Sequence, residues 1–280
     1  MRRPALAAVL LLASTSAAFA WGSEGHSIVA EIANRRLSPE AFAEVERLMG
    51  KGHSLASVSS WADDIRGAHP ESYNWHFVDI PIAETTYDPA TECKPDPKGD
   101  CVIAELERLR QTLRCGTDDA AKLDALRFTV HFIGDIHQPL HTVNELRGGN
   151  DIAVKVTFKG NTCRSNCEVQ TNFHAAWDST LIQRTVWDWG AYVDKLEAGW
   201  LTTPEALDAA TVAGTPTDWA LQTHAAAQTV WNAKPESNEL DDAYYTAVLP
   251  VLDKQLGLGG LRLAKFLNDA YASTSCPVAP

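Results

Sequence analysis

Two histidine–aspartate pairs with the same spacing constrain this chain most strongly: His131 with Asp135, and His174 with Asp178. Residues four apart lie on one face of a helix, one turn from each other. This spacing lets a histidine and a carboxylate hold one metal ion, and both are ligands that zinc accepts. A single pair is often only a hydrogen-bonded contact on a helix. Two such pairs, accompanied by further histidines in apolar surroundings, predict a metal site.

Further polar side chains lie in apolar or tryptophan-containing runs, where burying them without a partner is costly. His76 lies in the run W-H-F-V-D, and Asp63 and Arg66 lie in W-A-D-D-I-R. Pro139 should end the preceding helix, which frees His141 to point in another direction. Each of these residues alone is more common as an ordinary buried or ion-paired side chain. Their occurrence together extends the predicted metal site.

The remaining histidines do not share this pattern. His137 is six residues from His131, off the shared helix face, and is expected beside the site or exposed. The other three are expected to be ordinary surface histidines: His53, His69 and His224.

The first twenty residues have the pattern of a secretory signal peptide. Two basic residues precede an apolar run, and the small-x-small site A-F-A follows at 18–20. The run is too short to cross a bilayer. We therefore expect residues 1–20 to be removed and 21–280 to form a single domain without membrane contact. The protein is expected to be secreted or periplasmic.

Cleavage after residue 20 would give Trp21 a free α-amino group. Such a group has a pKa of about 7.7–8.0 in model peptides. Once deprotonated, its nitrogen can bind a metal ion, and His26 follows five residues later. Trp21 and His26 are therefore candidate ligands.

The charge of the chain bears on its partners. Its 36 acidic and 24 basic residues give a formal net charge of −12, and loss of two arginines with residues 1–20 makes it −14. Nucleic acids are normally held by basic surfaces, so this acidity argues against a long phosphate-binding track. Bound metal ions can dominate the field locally, so nucleic acid held over a short footprint is still compatible with the composition.

Six cysteines in an exported chain predict disulfide bonds. Cys163 and Cys167 flank a plausible turn, and we expect them to pair with each other. The other four, at positions 93, 101, 115 and 276, allow three pairings among which the sequence does not choose.

Hydrophobic periodicity predicts a mainly helical, single-domain bundle. The predicted helices cover residues 39–49, 102–114, 119–137, 174–186, 217–231, 240–256 and 260–272. Alternation from 152 to 158, followed by the turn K-G-N at 159–161, predicts a small β-hairpin. The proline-rich region 80–100 is expected to be an irregular loop.

The motifs together resemble one family, the secreted single-strand-specific zinc nucleases of the S1/P1 type, which are distantly related to zinc-dependent phospholipase C. The resemblance runs from Trp21 to about Tyr271. The motifs that carry it are W-G-x-x-G-H at 21–26, S-W-A-D at 60–63, H-F at 76–77, H-F-I-G-D at 131–135, Q-P-L-H at 138–141, G-G-N at 148–150 and H-A-A-W-D at 174–178. It implies a helical fold like that of both enzyme groups.

The resemblance also implies three zinc ions. The first would be held by Asp63, His76, His131 and Asp135. The second would be held by the amino group and carbonyl of Trp21, by His26, and by Asp135 as a shared carboxylate. The third would be held by His141, His174 and Asp178.

The same resemblance implies roles around the ions. Asp63 would orient or deprotonate the attacking water, and Arg66 would stabilise charge on the phosphoryl group. Phe77 would stack on an unpaired base and Asp79 would contact its edge. The implied enzyme is a monomeric endonuclease that cleaves single-stranded DNA and RNA to 5′-phosphate products. It would also act on 3′-mononucleotides.

Two other functions fit part of the pattern. A phospholipase C would use the same three zinc ions on a lipid phosphodiester, but those relatives carry a glutamate where this chain has Asp178. A non-catalytic zinc-binding protein would bind the ions without turnover, although the ligand set lacks no member.

Overall fold

The structure, a computed structural model, describes residues 21–272 and 276. The predicted signal peptide lies outside these residues. The α-helices are α1 (Ser23–Asn34), α2 (Pro39–Met49), α3 (Trp61–Ile65), α4 (Pro89–Glu92), α5 (Val102–Cys115), α6 (Asp119–Asp135), α7 (Phe173–Ala175), α8 (Leu181–Thr185), α9 (Trp189–Ala198), α10 (Pro204–Leu207), α11 (Ala209–Val212), α12 (Pro216–Ala233) and α13 (Asp242–Ala272). Short 3-10 helices cover Leu55–Val58, Pro70–His76, Pro139–Thr142 and Trp200–Thr202, and a π-helix covers Ala176–Thr180. The prediction of a mainly helical protein is confirmed.

Helix boundaries follow the capping signals in the sequence. The Ser38 hydroxyl accepts a hydrogen bond from the Ala41 N–H at 3.2 Å, and α2 ends before Gly50, whose φ is +89°. Thr215 and Asp218 form a capping box at the start of α12. Such caps satisfy backbone groups that a helix end leaves without partners.

Helix α13 packs along α1 and joins what the sequence predicts as two helices. Glycines interrupt the apolar pattern between the two predicted helices, yet the backbone stays helical through them. Because these glycines have no side chain, neighbouring segments such as helix α1 can pack closely against them. A Cβ at Gly260 would lie 2.4 Å from Cγ2 of Ile32 on α1. The prediction of a break near 257–259 is therefore wrong, since close packing rather than helix termination explains these glycines.

The predicted hairpin is present, with a longer connection than expected. Strands β1 (Ala153–Val156) and β2 (Val169–Asn172) pair antiparallel, and β3 (Glu239–Leu240) adds a short parallel pairing to β1. Residues 157–168 connect the first two strands, so 159–161 is not the hairpin turn itself.

Three disulfide bonds link the cysteines: Cys93–Cys101, Cys115–Cys276 and Cys163–Cys167. The expected pairing within the 157–168 connection is confirmed. Within the described part of the chain, no helix has both the length and the apolar character needed to cross a membrane.

The expectation of a surface position is wrong for His224, and of the two alternatives for His137 the exposed one is wrong. His224 is buried on α12, and its Nδ1 donates to the Thr142 carbonyl at 2.7 Å. His137 is also buried: its Nδ1 donates to the Ile133 carbonyl at 2.7 Å, and its Nε2 accepts from Arg262 at 3.1 Å. Both rings lie between helices, which a count along one helix face does not reveal.

Replacing His137 by glutamine should make the free energy of unfolding fall less steeply as the pH is lowered. Burial, followed by the Arg262 charge, lowers the pKa of His137 to about 3, whereas a histidine in an unfolded chain titrates near about 6.5. Between these values the unfolded chain binds a proton that the folded chain does not, so stability is lost as pH falls. We expect His137→Gln to remove about 3 kcal/mol of the loss between pH 6.5 and pH 4, measured by urea unfolding.

The glutamine oxygen can still accept a hydrogen bond from Arg262, so folding should survive. The same substitution at the exposed His53 is the control and should leave the slope unchanged. A His137 variant whose stability falls with pH as steeply as that of the wild type would contradict this account.

Candidate metal centre

Asp135, at the end of α6, lies between the other polar groups of the centre. Its Oδ2 is 3.0 Å from Nδ1 of His76 and 3.3 Å from Nε2 of His131, and its Oδ1 is 3.3 Å from Nε2 of His26. All four side chains are buried. The helical spacing of His131 and Asp135 thus brings both to one point, where α1 and the 70–76 turn add a histidine each.

A first group consists of Asp63, His76 and His131. Asp63 comes from the short helix α3, and its Oδ1 is 3.7 Å from both Nδ1 of His76 and Nε2 of His131. The two histidine nitrogens are 3.2 Å apart. Oδ2 of Asp135 lies 3.0 and 3.3 Å from the same two nitrogens, so the four side chains predicted for the first ion are neighbours.

A second group consists of His26, His131 and Asp135. The rings of His26 and His131 stack with centroids 3.8 Å apart. Gly134 permits this approach, because a Cβ there would lie 2.6 Å from Nδ1 of His26. His131 is the member common to both groups, while Asp135 contacts His26 through Oδ1 and the histidines of the first group through Oδ2.

Trp21 is fully buried beside this second group. Its Cβ would be 2.8 Å from a Cβ built at Gly25, so the segment folds tightly onto the start of α1. The next residue, Gly22, donates to the Asp178 carbonyl at 2.8 Å. Residues 21–22 are therefore held next to Asp178 and the start of α1, whereas the ligand role of the Trp21 amine stays a prediction.

The third group consists of His141, His174 and Asp178. Asp178 lies in the π-helical turn, and its Oδ2 is 3.7 Å from Nε2 of His174. π-Helical turns occur frequently at functional sites because they redirect side chains inside a helix. The other oxygen of Asp178 accepts from Nε2 of Gln138 at 2.6 Å, which fixes the carboxylate.

Backbone carbonyls orient three of the histidines. Nδ1 of His131 donates to Ser59 at 2.7 Å, that of His141 to His76 at 2.7 Å, and that of His174 to Gly148 at 2.8 Å. A neutral imidazole that donates from Nδ1 has its lone pair on Nε2. These bonds aim Nε2 into the centre, as outer hydrogen bonds do for metal-binding histidines.

The donor set fits zinc. Zinc–ligand bonds of about 2.0–2.1 Å in a tetrahedron place ligand atoms about 3.3 Å apart. The carboxylate–histidine contacts given above run from 3.0 to 3.7 Å, and the ligand atoms of each group all lie within 4.8 Å of one another. Several buried atoms also lack a hydrogen-bond partner: His26 Nε2, Asp63 Oδ1, Asp135 Oδ1 and His141 Nε2. Buried polar atoms are normally satisfied, so these atoms indicate a bound cation.

Burial is the main cause of the pKa shifts in the centre. It lowers the pKa values of His26, His76 and His141, and it lowers that of His174 to about 4. Burial also raises the pKa of Asp135, with the negative charge of Asp63 as a second cause. Burial therefore favours the neutral form of these histidines, which is the form that binds metal, and a nearby positive charge would favour the ionised form of Asp135.

The third group opens into a cleft that also contains the predicted base-binding residues. Phe77 is half-buried there, with its ring edge-on to Tyr73 at 6.4 Å between centroids. Asp79 is exposed at the mouth, yet the cleft wall removes enough water to raise its pKa to about 6, with Glu145 as a second cause. Arg66 lines the same cleft, donates to the Tyr73 carbonyl at 3.0 Å and lies 4.1 Å from the Tyr73 ring centroid.

The structure adds cleft residues that sequence reasoning missed: Tyr73, Asn144, Arg147 and Asn150. Asn150 belongs to the G-G-N motif and Arg147 precedes it, so the motif was the available signal. Tyr73 carries none, because it lies in the 3-10 helix Pro70–His76 outside the motifs that carry the family resemblance. Gln138 had a signal in the Q-P-L-H motif, but its bond to Asp178 depends on tertiary packing.

Comparison with known proteins agrees with this geometry. The chain is 31% identical to nuclease P1 of Penicillium citrinum, over 90% of this chain and 98% of the relative. It is 29% identical to endonuclease 4 of Arabidopsis thaliana, over 91% of each chain, and 28% identical to nuclease S1 of Aspergillus oryzae, over 95% and 96%. The family model of the S1/P1 nucleases matches residues 21–272. The chain therefore belongs to the S1/P1 nuclease family.

Proposed function

We propose that this protein is a zinc-dependent endonuclease that hydrolyses phosphodiester bonds of single-stranded DNA and RNA. One observation carries the proposal: three groups of metal-ligating side chains converge beside a cleft that offers an aromatic ring and an arginine. Family membership supports the same reaction, since the relatives are nucleases and endonucleases by name. None of the relatives named above is a phospholipase by name.

Three zinc ions are proposed, held by the residues named from the sequence. Asp63, His76, His131 and Asp135 would hold the first; Trp21, His26 and Asp135 the second; and His141, His174 and Asp178 the third. Bound zinc would supply Lewis-acid stabilisation of phosphoryl charge and would lower the pKa of water.

Asp63 is the proposed base or orienting group for the attacking water. Its Oδ1 is buried without a hydrogen-bond partner and is therefore available to a water molecule or a metal ion. Arg66 is close enough to act on the pKa of Asp63, and is held by Tyr73. As the water oxygen bonds to phosphorus and the bond to the 3′ oxygen breaks, the Arg66 guanidinium would stabilise the added negative charge.

The proposed substrate preference follows from the cleft. Phe77 can stack on a base only if that base is unpaired, and stacking tolerates any sequence. Asp79 would accept hydrogen bonds from a base edge. Cleavage of the bond between phosphorus and the 3′ oxygen would give a 5′-phosphate and a free 3′-hydroxyl, and the same chemistry would remove phosphate from 3′-mononucleotides.

We also propose that residues 1–20 are a signal peptide and that residues 21–280 form one domain of a secreted or periplasmic monomer. Three disulfide bonds support an oxidising compartment.

The purified mature protein should cleave single-stranded DNA and RNA at a higher rate than duplex DNA, and should release phosphate from 3′-AMP. Phosphatidylcholine should not be hydrolysed. Gel assays, with end-group analysis of the products, would measure this. Arg66→Gln should lower kcat by about 100-fold or more, because it removes a donor to the transition state. Lipid hydrolysis without nuclease activity would overturn the proposal.

Metal analysis should find three zinc ions per chain. Asp178→Asn should leave about two, because an amide is a poor zinc ligand, while Asp124→Asn on the exposed part of α6 should keep all three. Atomic absorption after gel filtration gives the content independently of activity. One zinc ion in the wild type, or no loss in the Asp178 variant, would contradict the proposed ligand sets.

One extra residue before Trp21 should remove one zinc ion and reduce activity sharply. An amide nitrogen cannot replace the α-amino group as a ligand, since its lone pair is delocalised. The protein with an authentic Trp21 terminus is the control, and thermal unfolding would check the fold of both forms. Equal zinc content in the two forms would exclude the Trp21 amine from the centre.

A further inference from the structure

A left-handed turn forms one side of the cleft mouth. Four consecutive residues have positive φ angles: Leu146 (49°), Arg147 (56°), Gly148 (63°) and Gly149 (84°). This conformation is unfavourable for residues with a side chain. The exposed Leu146 and Arg147 adopt it although nothing in their own side chains favours it, so the surrounding structure must impose it.

Hydrogen bonds hold this turn rigidly against the third metal-ligating group. The Gly148 carbonyl accepts from Nδ1 of His174 at 2.8 Å, and a Cβ at Gly148 would lie 2.4 Å from the Leu140 oxygen. The side-chain amide of Asn150 donates to the Arg147 carbonyl at 2.8 Å. The backbone of Arg147 is therefore fixed one residue from a contact with a predicted ligand.

Within the described chain, the guanidinium of Arg147 makes only a weak interaction. Its NH1 is 3.3 Å from Oδ1 of Asp151, and the two side chains are 66% and 47% exposed. Exposed ion pairs of this kind contribute little to stability. The neighbouring Glu145 carboxylate does not compete for Arg147, because it accepts from the Ile82 N–H at 3.0 and 2.8 Å.

We propose that Arg147 binds a phosphate of the polynucleotide adjacent to the one that is cleaved. The inference rests on the proposed nuclease function. The cleaved phosphate must reach the buried side chains of the centre, whereas Arg147 lies at the rim of the same cleft. A guanidinium can bind a phosphate through two parallel hydrogen bonds. When Arg147 leaves Asp151 to bind a phosphate, a solvent-screened ion pair is replaced by a stronger contact.

The choice of substrates separates this contact from the catalytic centre. A single-stranded oligothymidylate has neighbouring phosphates, whereas 3′-AMP has only the phosphate that is removed. Arg147→Asn is the main variant, because asparagine tolerates positive φ better than most residues. Arg147→Lys keeps the charge, and Arg164→Asn makes the same change at an exposed arginine outside the cleft lining.

For Arg147→Asn we expect kcat/KM on the oligothymidylate to fall about tenfold, as for loss of a charged hydrogen bond, and kcat/KM on 3′-AMP to change less than about twofold. The dependence of log KM for the oligothymidylate on log salt should weaken by about 0.7, the value for one phosphate contact to a single strand. Arg147→Lys should lie between the wild type and Arg147→Asn, and Arg164→Asn should match the wild type. Zinc content should be equal in all four proteins.

Equal losses on both substrates with full zinc content would overturn the inference, because Arg147 would then act on the cleaved phosphate. No loss on either substrate, or the same loss in Arg164→Asn, would also overturn it. A wild-type protein that processes neither substrate would instead refute the proposed function, and the role of Arg147 with it.

Discussion

The structure depends on the burial of carboxylates in surroundings that contain few positive charges. Asp135 and Asp178 are almost completely inaccessible, and their immediate neighbours are mainly neutral histidines. An isolated ionised carboxylate in such surroundings is strongly unfavourable. A divalent cation removes the penalty, so folding of this region and metal binding are expected to be coupled. The helices and turns around the centre serve to make this burial possible.

Small residues and outer hydrogen bonds give the centre its shape. Gly134 lets α1 approach α6, and Gly148 places a carbonyl against His174. The π-helical turn redirects Asp178, and Gln138 fixes the carboxylate that results. Each feature controls the direction of a ligand rather than supplying one, and misdirected ligands bind zinc poorly.

The acidity of the chain limits how many phosphates of a nucleic acid it would bind at once. The positive groups of the cleft are few, chiefly Arg66 and Arg147 besides the metal ions proposed for the centre. A substrate would therefore be gripped through a small number of phosphates and one or two bases. Such a footprint agrees with the proposed stacking of unpaired bases in the cleft, since little of the binding energy would come from a phosphate track.

Part of the fold and of the site could be predicted from the sequence, because both depend on local periodicity. Helical spacing placed His131 beside Asp135 and His174 beside Asp178, capping residues predicted the start of α2, and alternation predicted β1. Features that depend on packing between distant segments could not be predicted in this way. These include the Cys115–Cys276 bond, the continuity of α13 and the burial of His224.

The sequence by itself determined which types of metal-binding side chain this protein offers, because donor types and their spacing along a helix are local properties. Only the tertiary structure decided how the donors are shared and what borders them. Asp135 lies between two groups because α1, α3 and the 70–76 turn meet at the end of α6. Arg147 lines the cleft from a left-handed turn that its own backbone preference opposes, and Gly148 in that turn packs against Leu140 and His174. Local preference is weak compared with dense packing, so such positions become visible only in three dimensions.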